Sequence, residues 1–211
     1  MIRGLLMRLW LLGPLVMFGL GVTATSGHAQ DAAQTAVVER FHAALIDNMK
    51  NGKALGFEGR RAKLAPIVQK TFDIPTMARI STGTAAWGKI AEADKAAIIK
   101  AFGDWTTASY AGNFSAFDGE SFVTKSQTPD DGKGNVLVNT QLNPKSMAPV
   151  AFNYRMQKVG ADWKVVDIFL DGAISQLATF RAQFAAVMSK GAPADLLTHM
   201  NKLAADAKKD G

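Results

Sequence analysis

The sequence predicts an α+β domain: a four-stranded antiparallel meander packed against N-terminal and C-terminal helices. Three observations predict it. Apolar residues recur at helical spacing from about residue 32 to residue 117. After Asp118-Gly119 the period changes to two. At Ile174 the helical period returns and holds to about Lys208.

The elements follow in chain order. Residues 32–50 form a helix, with Val38, Phe41, His42, Leu45 and Met49 on one face and Glu39, Arg40 and Asp47 opposite, and Asn51-Gly52 ends it. Residues 57–71 form a second helix with Leu64, Ile67 and Val68 inward, and Pro66 kinks it or shifts its start. Asp73 can cap a short helix from Pro75 to about Thr82. Glu92 to Phe117 is the strongest helix, with Ile98, Ala101, Phe102, Trp105, Ser109 and Gly112 as its inner stripe. Strands are expected at 120–128, 135–142, 148–158 and 163–170, with the Pro129–Gly134 segment as an explicit hairpin signal. In the third strand Val150, Phe152, Tyr154 and Met156 alternate strictly with polar or small residues. The fourth is apolar on both faces and is therefore central or covered twice. Helices at 174–190 and 193–208 close the chain.

The first 29 residues belong outside this domain. Arg3 and Arg8 mark a short basic segment, Leu9 to Val22 is an apolar run of 14 residues, and Gly27-His28-Ala29 offers small residues at the −3 and −1 positions. The run is shorter than the ~20 residues that span a bilayer, and the pattern is that of a signal peptide cleaved after Ala29. Residues 30–211 then form one domain of 182 residues. The whole chain carries 24 Lys and Arg against 18 Asp and Glu, and removing Arg3 and Arg8 leaves a net charge of +4. Export and a complete lack of cysteine fit a bacterial periplasm, and they exclude disulfides, thiolate metal sites and a catalytic thiol. The basic residues are dispersed, with small clusters at Arg60–Lys63 and Lys208-Lys209 read as solvated helix faces, so no nucleic-acid partner is expected.

Catalytic patterns are lacking. His42 and His199 each stand alone near the apolar side of a helix, and no HExxH, GxSxG or GxGxxG occurs. Gly83 to Lys89 satisfies GxxxxGK, but Ile90 stands where a phosphate loop needs Ser or Thr, and the preceding residues read as helix. Asp167 and Asp171 read as a strand-end carboxylate paired with a cation and a turn residue, rather than an acid–base couple. No enzyme and no cofactor are expected.

Two features remain. Arg181 falls inside the Ile174, Leu177, Phe184 and Met188 stripe, where a desolvated guanidinium needs a partner. Either Asp167 supplies it, or a bound phosphate or hydroxyl does. The apolar surface of the sheet and of five helices is also abundant, and it either fills its own gaps or leaves an elongated cavity.

These residues carry a resemblance. Phe72-Asp73 with the short helix after it, Gly83 to Trp87, Ser109-Tyr110-Ala111 and above all Trp163 to Phe184 (WKVVDIFLDGAISQLATFRAQF) resemble the MlaC-type periplasmic lipid-binding family, also called the toluene-tolerance family. Phe72 to Pro75, Ala108-Ser109-Tyr110 with Asn113-Phe114, and Leu170 to Ser175 are similar to its HpnM branch, associated with hopanoid biosynthesis. The resemblance implies a carrier of phospholipid or hopanoid-type lipid, with acyl tails between sheet and helices. It implies as partners an inner-membrane ABC transporter complex, an outer-membrane lipoprotein or porin, and transient contact with the membrane. The residues expected to hold lipid are Phe114, Val138, Val150, Phe152, Tyr154, Ile174, Leu177 and Arg181. The alternative is a non-catalytic adaptor with a filled core that scaffolds membrane-bound hopanoid synthesis enzymes.

Overall fold

The structure, a computed structural model, describes residues 28–130, 132–189 and 192–209. The expected signal peptide lies outside the described residues, apart from its last two positions in the first turn of a helix.

Among the described residues five helices precede the sheet. Helix α1 (His28–Lys50) and helix α2 (Gly52–Thr71) pack against each other. The predicted stripe of α1 is its buried face: Val38, Phe41 and Leu45 are fully buried. Helix α2 starts five residues before its predicted start. Gly56 adopts φ 59 and ψ −179 inside it, so residue 57 begins a second helical segment beyond a kink. Gly52 is a point of close approach, since a methyl group there would stand 1.8 Å from the Ser115 carbonyl oxygen.

Asp73 caps helix α3 (Ile74–Thr82) by accepting a hydrogen bond from Thr76 N at 3.2 Å, with Pro75 in the first turn. A one-turn helix α4 (Thr84–Trp87) follows Gly83, so the GxxxxGK segment follows a helix rather than a strand. Helix α5 (Glu92–Asn113) ends four residues earlier than its periodicity suggests. Phe114 N still reaches Tyr110 O, but the backbone then turns out of the helix, and the Phe114 ring is buried.

The sheet runs β1 (Ser121–Asp130), β2 (Asn135–Asn143), β3 (Val150–Val159), β4 (Asp162–Leu170) and β5 (Ile174–Ser175), in that spatial order and antiparallel throughout. The fifth strand corrects the four-stranded expectation. Asp171 takes a left-handed conformation (φ 51) and Gly172 another (φ 76), so the chain reverses tightly and pairs Ile174 with Leu170 before any helix begins. A register shift between Arg155 and Met156 explains why β4 is apolar on both faces. Met156 opposes Val165 and Tyr154 opposes Ile168, so the bulge carries odd and even positions to one side. Helix α6 (Gln176–Met188) and helix α7 (Pro193–Asp206) return across α3 and α5.

One apolar core joins these layers. Phe41, Phe72 and Tyr110 meet edge to face or tilted with centroids 4.9–5.7 Å apart. Arg60 is buried in it rather than solvated. Its Nε donates to Ala111 O at 2.8 Å and its Nη1 to Gly52 O at 3.1 Å, which ties the end of α5 to the start of α2. Asn48 adds a third tie, donating to Phe114 O at 3.2 Å.

Candidate functional site

A narrow cleft of about 100 Å³ lies between α3, α5, α6 and the ends of β3 and β4. Met77, Trp105, Tyr110, Phe114 and Phe152 line it together with Ile168, Leu170 and Phe180. The helical period of α5 puts Thr106, Ser109 and Asn113 along one line beside these rings, and Gln176 adds a fourth polar group from the start of α6. An apolar lining with a few polar groups suits an amphiphile, whose tail needs burial and whose head needs hydrogen bonds.

The walls are held from behind. Trp105 meets Phe180 at 4.7 Å and Phe184 at 5.9 Å, both edge to face, which locks α6 against α5. Buried Asp167 fixes the start of α6. Its Oδ1 accepts from Ile168 N (2.7 Å) and Leu177 N (3.2 Å), and its Oδ2 accepts from Ser175 Oγ (2.6 Å). Ser175 then caps the helix by accepting from Ala178 N at 3.0 Å.

That network excludes Asp167, one of the two partners the sequence offers for Arg181, and corrects the reading of Asp167 as paired with a cation. Asp167 is satisfied by backbone amides and a hydroxyl, and Arg181 is exposed beside Gly83. Ile174, the first member of the expected stripe, belongs to β5. Counted from Gln176, the buried side centres on Leu177, Phe180 and Phe184, and Arg181 stands on its flank.

His42 lies behind the cleft, not in it. Its Nε2 is 2.9 Å from Tyr154 Oη, and its ring stacks on Phe122 at 3.9 Å. Burial pushes its pKa down to about 3. The folded value lies below the unfolded value of about 6.5, so this contribution to stability is fully present above pH 6.5 and is lost as the pH falls toward 3. Comparing chemical denaturation of the protein and of His42→Gln across this window should show the acid loss flattened in the variant, by on the order of 4 kcal/mol at its low end. Equal slopes would contradict the buried neutral imidazole. Among the described residues no group of three or more His, Asp or Glu side chains could hold a metal ion, and no helix is long and apolar enough to cross a membrane.

Residues 39–202 match the sequence model of the family described as MlaC protein. The chain belongs to the MlaC family. A similar solved structure is that of the phospholipid-binding protein from Ralstonia solanacearum in complex with a phospholipid. It is 24% identical, with a TM-score of 0.68, over 83% of this chain and 98% of that one, and it supports the fold. No curated protein gives a significant match.

The sequence-predicted site residues of this MlaC chain fall into three groups. Phe114 and Phe152 line the cleft. Val138, Tyr154 and Leu177 are buried in the surrounding core, and Val150 is half-buried at the start of β3. Ile174 and Arg181 are exposed. Sequence reasoning missed Met77, Ile168, Leu170 and Phe180, which share the cleft only because α3, β4 and α6 converge there. Trp105 and Ser109 have a signal as members of the inner stripe of α5, and Tyr110 as part of the segment that carries the resemblance.

Proposed function

We propose that this MlaC-family protein is a lipid carrier of the bacterial periplasm. The observation that carries this reading is the cleft itself: aromatic and aliphatic side chains inside, with Thr106, Ser109, Asn113 and Gln176 at its polar edge. The phospholipid held by the Ralstonia protein on a similar fold supports the same class of cargo. Burying each CH₂ is worth about 0.8 kcal/mol, so a chain of roughly 16 carbons costs on the order of 12 kcal/mol to expose to water. A carrier offsets that cost with an apolar lining and needs no reacting group, so the proposed role is not enzymatic. In this reading exposed Arg181, beside Gly83 and outside the cleft lining, meets a headgroup phosphate.

The finer reading follows the resemblance. A signal peptide ending at Ala29 delivers the protein to the periplasm, and residues 30–211 act as one lipid-binding domain. Cargo passes between an inner-membrane ABC transporter complex and an outer-membrane lipoprotein or porin partner, with transient membrane contact. The motifs shared with the HpnM branch favour a hopanoid-type lipid beside phospholipid.

One observation favours the adaptor reading. Pockets for drug-sized ligands span roughly 300–1,000 Å³, while this cleft holds about 100 Å³. Under the carrier reading α6 must therefore yield on loading; under the adaptor reading the interior stays filled. Transfer of a fluorescent phospholipid between donor and acceptor vesicles separates the two. A carrier accelerates transfer in proportion to its concentration, whereas an adaptor leaves the rate at its spontaneous value.

A further inference from the structure

Three polar groups at the cleft are uncommitted. Ser109, Asn113 and Gln176 are half-buried among its lining residues, and among the described residues their side chains have no hydrogen-bond partner. Thr106, the fourth polar member, is already used, because its Oγ1 donates to Phe102 O at 2.8 Å. The open groups are one hydroxyl and two carboxamides. Each offers both a donor and an acceptor, and none carries a charge. Among the described residues no Lys, Arg, His, Asp or Glu lines the cleft.

Two fixed features set the sign of the field at this edge. Helix α5 ends at Asn113 with no basic residue in its last turn, so the negative end of its dipole lies beside Ser109 and Asn113. Buried Asp167 stands under the start of α6, where Ser175 Oγ and Leu177 N, the neighbours of Gln176 on either side, both donate to it. A helix N-terminus ordinarily attracts an anion through its free amides, but here a carboxylate of the chain already occupies that place. Arg60 offsets part of the α5 dipole by donating to Ala111 O, yet it does so from α2 and does not line the cleft. Arg181 is exposed beside Gly83, also outside the lining.

We infer that Ser109, Asn113 and Gln176 receive an uncharged, hydroxyl-bearing lipid head, and that the cleft edge rejects an anionic one. A hydroxyl donates and accepts in turn, as these three side chains do. A phosphate brought to the same edge loses water, meets a helix C-terminus and a buried carboxylate, and finds no cation in the lining. A phospholipid is then held by its tail and its ester carbonyls, with the phosphate left in solvent on the side where Arg181 stands. This rests on the carrier reading and deepens it by naming the head-group chemistry of the cargo.

The test measures displacement of a fluorescent fatty alcohol by dodecanol, dodecylammonium and dodecyl phosphate, which share one tail and differ in the head. Dodecanol should bind tightest and dodecyl phosphate at least about tenfold more weakly, with dodecylammonium between them. Gln176→Lys puts a cation at the edge, and once a thermal melt shows the variant folded, dodecyl phosphate should bind it about tenfold more tightly. Dodecyl phosphate binding the unaltered protein as tightly as dodecanol, or more tightly than dodecylammonium, would overturn the inference and leave the carrier reading intact. A folded Gln176→Lys protein with unchanged affinities would do the same. The ranking in the unaltered protein decides the question if the variant does not fold. If the probe does not bind, or none of the three amphiphiles displaces it, the carrier reading fails and the head-group assignment falls with it.

Discussion

Replacing Ser109 by Trp is expected to abolish lipid uptake while leaving the fold intact. Ser109 is half-buried on α5 and faces the cleft between Trp105, Tyr110 and Asn113. An indole at this position occupies the space an acyl tail would need, in a cleft of only about 100 Å³. Excluding as few as four methylenes removes roughly 3 kcal/mol of burial, so affinity should drop by about a hundredfold or more. Stability should change by less than about 1.5 kcal/mol, because the new ring fills an existing apolar gap instead of displacing packed atoms. The check pairs a binding titration with a thermal melt. Undiminished binding in a folded variant would mean that lipid sits elsewhere.

Gly52→Ala should be the most damaging single methyl group that can be added near the site. The added carbon would stand 1.8 Å from the Ser115 carbonyl oxygen and 2.9 Å from its carbon, both backbone atoms with no flexible side chain to give way. The start of α2 would have to move off the end of α5, carrying the Gly52 carbonyl away from buried Arg60. We expect a loss of about 3 kcal/mol or more and a melting temperature lower by roughly 6–12 °C. Gly88→Ala is the matched control. Its backbone (φ −63, ψ −18) suits any residue and the nearest atom to a methyl group there is 3.6 Å away, so stability should change by less than about 1 kcal/mol. Equal melting temperatures for the two variants would contradict the close approach at Gly52.

What the sequence disclosed and what it hid divide along physical lines. Local periodicity carries the elements: the strict alternation of Val150 to Met156 reappears as an inward face with Phe152, Tyr154 and Met156 buried. The Val38, Phe41 and Leu45 stripe likewise reappears as core. Events that depend on a residue far away in the chain were hidden. The bulge opposite Arg155 and Met156 makes β4 look apolar on both faces, yet its cause lies in the pairing with β3. Arg60 reads as one of a surface cluster until the Ala111 and Gly52 carbonyls are brought to it. Arg181 stands four after Leu177 and three before Phe184, so spacing alone puts it in their stripe; that Phe180 packs on Trp105 and turns the buried side away from Arg181 depends on α5. The cleft suffers most from this. Its lining comes from five elements: Phe114 and Phe152 are legible as lipid-facing residues, Trp105 and Ser109 only as the inner stripe of α5, and Met77, Ile168, Leu170 and Phe180 not at all.

Native mass spectrometry of protein purified without detergent tests the carrier reading most directly. The account predicts a population heavier than the polypeptide by the mass of a lipid, converted to the bare chain by solvent extraction and missing from Ser109→Trp. A single species at polypeptide mass, unchanged after incubation with phospholipid vesicles, would contradict it.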